Sequence, residues 1–165
     1  MRFAIWQTPF GHMGALAGAA GLISLTLPME SPEDVFRELL GKGEPAHEDS
    51  GYFAGLIRAL TNYFNGQELN CSCQLDLSRL TPFRRKVLQA VATIPYGQVR
   101  SYKWVGESIG CLRGFRAIGQ AVGANPFPVL IPCHRVIASD GSLGGYTGGL
   151  DHKRRFLRLE GIKIS

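Results

Sequence analysis

The sequence predicts a mixed α/β protein of two domains: an α/β domain over residues 1–78 and a helical domain with a helix-turn-helix over residues 79–165. Three observations carry this reading. Short apolar runs broken by turn residues fill the first 28 positions, whereas the second half shows helical periodicity. The charge divides along the same line. Residues 1–80 hold five Lys/Arg and nine Asp/Glu, net −4, and residues 81–165 hold thirteen and four, net +9. Finally, 165 residues that are 45% hydrophobic and 19% charged can bury a core, which excludes a disordered chain.

The elements follow in order. Phe3-Ala4-Ile5-Trp6 reads as a strand and Pro9-Phe10-Gly11 as a turn. Met13–Ala17 and Gly21–Leu27 read as two further strands around Gly18-Ala19-Ala20. Ser31 caps a helix with Pro32 at its first position and Phe36, Leu39 and Leu40 on its apolar face. A polar loop over 41–50 leads to a second helix, with Tyr52, Phe53, Leu56, Ile57, Leu60, Tyr63 and Phe64 at helical spacing and Asn65-Gly66 as its stop. Glu68–Ser78 reads as a strand or linker, with the domain boundary near 70–80.

In the second half, Thr81 caps and Pro82 starts a helix carrying Phe83, Val87, Leu88, Val91 and Ile94, which Pro95-Tyr96-Gly97 ends. Ser101 caps a short helix with Tyr102, Val105 and Ile109, ended by Gly110. Phe115, Ile118 and Val122 mark the next, which stops before Asn125-Pro126. Two short helices joined by a Gly-containing turn in a basic domain fit a helix-turn-helix facing a polyanion. Arg113, Arg116, Ala117 and Gln120 share one face of the second helix, with Gly123 nearby. Small side chains there let the backbone approach a groove, and the cations meet phosphates or enter a gap. The competing reading is an Ala/Gly-rich helix packed on its own core.

Several classes are excluded. Twenty-one Gly and nine Pro show no Gly-X-Y period. Four Cys at 71, 73, 111 and 133 lack the paired spacing of a disulfide framework, so a reducing, intracellular (cytoplasmic) setting is expected. The most apolar stretch, Met13–Leu27, is too short and interrupted to span a bilayer, and Ala15-Leu16-Ala17 precedes rather than follows an apolar run, unlike a signal-peptide cleavage site. No membrane association is expected. No CxxC or HxxxH spacing supports a metal site.

The densest chemical signal is Val129-Leu130-Ile131-Pro132-Cys133-His134-Arg135-Val136-Ile137. A free thiol with a pKa of about 8.5 is only a few per cent thiolate at neutral pH, and a neighbouring imidazole and cations such as Arg135 would raise that fraction. Glu160 would orient the imidazole as third member of a relay. Neighbouring residues of a strand point to opposite sides, so a water would have to bridge Cys133 and His134. The alternative is a buried, inert cysteine.

Ile131-Pro132-Cys133-His134-Arg135-Val136 resembles the active-site signature of the O6-alkylguanine-DNA alkyltransferases, the methylated-DNA–protein-cysteine methyltransferases. Tyr102, Arg116, Asn125, Cys133, Tyr146 and Glu160 follow that family's order and spacing. The likeness is strong over residues 80–162 and weaker, though consistent in layout, before 75. It implies a ribonuclease-H-like N-terminal domain and repair of double-stranded DNA containing O6-alkylguanine, read from the minor groove with the base flipped out. Cys133 would take the alkyl group once and irreversibly, with no cofactor and no structural zinc, in a protein expected to act as a monomer. His134 and Glu160 would remove the thiol proton. Tyr102 would donate a proton toward guanine N3 and crowd the 3′ phosphate. Arg116 would fill the vacated stack, and Ala117, Gln120, Ala121 and Gly123 would face the groove. Asn125 would tie the turn after the reading helix to the Cys loop. The backbone of Cys133 and Val136 would read the guanine amino group, Tyr146 and the loop to Gly149 would cover the base, and the N–H of Thr147 would donate to O6. Lys153 would lie near the pocket. A DNA-binding or lesion-recognition protein without alkyl transfer, and a cysteine hydrolase, are the alternatives.

Overall fold

The structure, a computed structural model, describes residues 1–164. The chain forms two compact units, Met1–Leu77 and the remainder from Ser78. The first is built on three antiparallel strands, β1 (Arg2–Thr8), β2 (Gly11–Gly18) and β3 (Gly21–Leu25). The short β4 (His47–Glu48) adds in parallel beside β1, giving the order β3-β2-β1-β4. Helix α1 (Pro32–Leu40) starts where Ser31 Oγ accepts from the Asp34 N–H (3.1 Å) and Pro32 needs no donor partner. Its Val35 and Leu39 pack on Leu16 of β2. Gly14 permits this contact: a Cβ there would lie 2.5 Å from Val35 Cγ1 and 2.6 Å from Leu39 Cδ1. Helix α2 spans Ala54–Phe64, two residues shorter at its start than the apolar spacing predicts, because Asp49 Oδ1 holds the Tyr52 N–H in a preceding turn. Residues 68–77 form no strand. They lie along β3, where Leu22 N–H donates to Gln74 O and Asp76 N–H donates to Leu22 O.

The second unit packs α3 (Pro82–Val91), α4 (Tyr102–Ser108) and α5 (Phe115–Gly123) against one another. The starts of α3 and α4 were legible in their caps: Thr81 Oγ1 accepts from Arg84 N–H and Ser101 Oγ from Trp104 N–H, whereas α5 starts after Gly114 without a side-chain cap. Gly106 lets α4 meet the following turn and α5, since a Cβ would lie 2.6 Å from Cys111 O and 2.9 Å from Ile118 Cδ1. The short strands β5 (Arg100–Ser101) and β6 (Val136–Ile137) pair in parallel, fixing the start of α4 beside the residues after Cys133. Helix α6 (Leu150–Leu159) packs on the single tight turn formed by Cys133–Arg135. No helix among the described residues is long and apolar enough to cross a membrane.

Two expectations about α5 fail. Phe115 is half exposed rather than part of the apolar face, which consists of Ile118, Ala121 and Val122. Ala121 is therefore a core residue and does not face a groove. A helix of nine residues has too few turns for a 3.6-residue period to fix its faces, least of all at its first residue.

Candidate active site

The chain reaches Cys133 through a constrained loop. Asn125 ends the turn after α5, its Nδ2 donating to Ile131 O (2.8 Å) and its Oδ1 accepting from Phe127 N–H (2.9 Å). Between them Val129, buried and β-branched, has φ +72°, a conformation that costs about 1–3 kcal/mol for such a residue. The clamp at Asn125 holds that conformation and delivers Cys133 to the start of a helical turn.

Cys133 is buried, at 6% exposure, but its sulfur has polar company. Its Sγ donates to the Tyr146 hydroxyl at 3.6 Å. Burial pushes the thiol pKa up; hydrogen bonds from Asn125 and Tyr146 and the charge of Lys153 act against it. The cation that serves the thiol is thus Lys153 rather than Arg135. Arg135 is committed elsewhere, with Nε 2.7 Å from Glu160 Oε1, Nη2 3.2 Å from Glu160 Oε2 and Nη1 2.7 Å from Ile94 O.

Glu160, at the end of α6, collects four donors. His134 Nε2 lies 2.5 Å from Oε2, Arg135 supplies two N–H groups, and the Gly97 N–H donates to Oε1 (3.2 Å). The carboxylate and imidazole are fully buried. Burial holds His134 below the usual imidazole range against the opposing pull of Glu160, so the ring is neutral. Charge on Glu160 is balanced by Arg135, the arrangement under which a buried carboxylate can stay ionised.

Lys153 is also fully buried. Its Nζ donates to Val136 O (2.7 Å), Leu143 O (2.5 Å) and Gly145 O (3.1 Å), beneath the rings of Tyr102 (5.9 Å) and Tyr146 (5.8 Å). Burial lowers its pKa to about 8, partly offset by the negative charge available at Cys133. The sequence showed it as part of a charged helix turn; only the fold reveals that it staples the 143–145 loop to β6.

Tyr102, first residue of α4, places its hydroxyl 3.4 Å from Gly145 O. Burial and the neighbouring Cys133 charge raise its pKa, so it keeps its proton at neutral pH. Thr147 is exposed, and its Oγ1 donates to Gly123 O (2.6 Å), joining the glycine-rich loop to the end of α5. On α5, Arg116, Ala117, Gln120 and Gly123 are exposed, as is Arg113 in the preceding turn. The carbonyl of Cys133 accepts from Val136 N–H. Among the described residues, no group of three or more His, Cys, Asp or Glu side chains is placed to hold a metal ion.

The structure thus gathers Cys133, His134, Glu160, Tyr102, Asn125, Val136, Tyr146 and Lys153 around one loop. Arg116, Ala117 and Gln120 stand apart on the exposed face of α5. Sequence reasoning missed Arg135 as partner of Glu160; a cation beside a buried His–Glu pair was the available signal.

Comparison with known proteins agrees with this layout. Residues 82–162 match the family described as 6-O-methylguanine DNA methyltransferase, DNA binding domain. The methylated-DNA–protein-cysteine methyltransferase of Mycobacterium tuberculosis is 45% identical over 112 residues, covering 68% of this chain and 67% of that protein. The protein of the same name from Metallosphaera sedula is 34% identical over 164 residues, covering 99% and 96%. A crystal structure of Mycobacterium tuberculosis OGT in complex with DNA superimposes with a TM-score of 0.83 at 34% identity, over 97% of this chain and 92% of that one. A thiol set in a hydrogen-bonded loop, a buried His–Glu–Arg cluster beside it and likeness to these relatives across nearly the whole chain converge: the chain belongs to the methylated-DNA–protein-cysteine methyltransferase family.

Proposed function

We propose that this protein repairs O6-alkylguanine in double-stranded DNA by moving the alkyl group onto its own Cys133. The observation that carries this is the polar environment of an otherwise buried sulfur: Tyr146, Asn125 and Lys153 all favour its thiolate. An inert core cysteine, the requirement of the DNA-binding alternative, needs none of them.

The chemistry follows from the residues. The thiol proton passes through a water to Nδ1 of His134, which is neutral and held by Glu160 through Nε2. Arg135 fixes Glu160 and keeps it charged. The thiolate attacks the alkyl carbon; the S–C bond forms as the C–O6 bond breaks, and guanine leaves. Tyr102, protonated at neutral pH, donates toward N3 and so stabilises the departing base. The proton lost by the thiol balances the one gained by guanine. The product is a thioether, a stable C–S linkage that hydrolysis does not reverse, so each molecule acts once. The lesion supplies the alkyl group and no cofactor is required.

The exposed face of α5 is the DNA-reading surface, with α4 and the intervening turn completing a helix-turn-helix. Arg113 and Gln120 contact the groove edge, Ala117 and Gly123 allow close approach, and Arg116 enters the space left by the rotated base. Extruding a base costs a few kcal/mol, which a wedge and a fitted pocket must offset. The backbone of Cys133 and Val136 and the N–H of Thr147 read the guanine, and Tyr146 covers it. The N-terminal unit is a ribonuclease-H-like support. The protein acts as a monomer on intracellular DNA.

Intact-protein mass spectrometry after incubation with an O6-methylguanine duplex tests the reading. The expected result is a gain of one methylene, mapped to Cys133, saturating at one per molecule; DNA binding without mass gain overturns it. Two further outcomes follow. Arg116→Ala slows repair of duplex more than reaction with free O6-benzylguanine, whereas equal slowing of both rules out the wedge. Lys153→Met removes the cation that favours the thiolate, so the pH–rate profile moves to higher pH by about one unit, about tenfold in thiolate fraction. In the native protein this help fades as pH rises through about 8, where Lys153 itself discharges.

A further inference from the structure

We infer that Phe115 is a second, apolar wedge that works beside Arg116 in opening the duplex. This rests on the function proposed above and assigns that surface a further positioning residue.

Phe115 opens α5 and is 50% exposed; Leu112, three residues earlier in the turn, is 67% exposed. Two other large exposed side chains, Phe36 and Tyr52, have partners within the fold, while Leu150, less exposed at 38%, opens α6. Phe36 packs edge-on against Phe3 at 5.8 Å, and Tyr52 carries Arg2 over its face at 4.7 Å. Phe115 and Leu112 project from the basic unit, interleaved in sequence with Arg113 and Arg116, both exposed. The apolar face of α5 is already complete with Ile118, Ala121 and Val122, so folding does not need this ring.

The alternation of cation and apolar group suits one occupant, the minor groove of DNA. Proteins that open a base step there insert Phe or Leu between bases and hold the flanking backbone with Arg. Phe115 and Arg116 are adjacent at the start of a helix, about 100° apart around its axis, so both cannot enter one gap. Arg116 takes the vacated position, and the Phe115 ring presses on the neighbouring base step and sugar. A neutral ring adds stacking area there without adding a phosphate contact.

The test compares the native protein with Phe115→Ala and Phe115→Leu. Each is assayed by single-turnover mass gain on O6-methylguanine in a duplex opposite cytosine, and in a single strand where no stack must be opened. Phe115→Ala is expected to slow the duplex reaction about tenfold and leave the single-strand rate within twofold. Phe115→Leu, still a wedge, retains most of the duplex rate. The slope of log affinity against log salt stays that of the native protein, because no ionic contact is lost. Equal rates for native and Phe115→Ala on duplex overturn the inference, as does an equal loss on both substrates. Absence of any mass gain from the native protein on either substrate overturns the proposed function itself and is read independently of the variants.

Discussion

Cys133→Ala abolishes alkyl transfer altogether, with no gain in mass at any incubation time. Its affinity for duplex DNA stays within about twofold of native, because phosphate contacts dominate affinity and the exposed cations Arg113 and Arg116 are untouched. The asymmetry is the diagnostic. Removing one sulfur from beside Tyr146 eliminates the only atom that forms the new bond, while α5 and its turn remain as they were. Gel-shift and intact-mass measurements on one sample report both outcomes. Residual transfer by the variant shows that another nucleophile does the chemistry.

Glu160→Gln has the second large effect, on rate and stability together. Four N–H donors converge on that carboxylate, from Gly97, His134 and twice from Arg135. A carboxamide accepts at one end only and turns its own N–H groups toward donors at the other. The buried Arg135 loses its countercharge, a change that costs about 3–5 kcal/mol. For a chain of this size that corresponds to a fall in melting temperature of roughly 10 °C. His134 loses the group that orients it, and transfer slows by about a hundredfold or more, the scale of positioned acid–base catalysis. The rate is measured well below the variant's melting point, against a thermal melt of the same material. A variant that melts normally and reacts normally refutes the relay.

The fold and the site were legible to different depths. Caps at Ser31, Thr81 and Ser101 are local chemistry, so helix starts could be read directly from sequence. The Cys133-His134 pair and its distant partner Glu160 were legible through resemblance, since nothing in a linear chain says that residues 26 apart share a proton. Lys153 and Arg135 were harder. Arg135 was read as a cation acting on the thiol and Lys153 as a residue near the pocket or in a charged helix turn, but their actual partners could not be read, because they are carbonyls and a carboxylate delivered by other elements. Phe115 and Ala121 were misassigned because a helix of nine residues offers too few turns to define its faces by pattern alone.

Helix α6 has a consequence for when the protein becomes reactive. The ammonium that favours the thiolate and the carboxylate that holds the imidazole both come from this helix and its end, after residue 150. In chain order Cys133 precedes both partners, and neither lies near it until α6 has packed against the turn that carries it. A chain in which α6 has not yet docked therefore carries a dormant thiol, and a protein that can spend itself only once is armed only when this helix is in place.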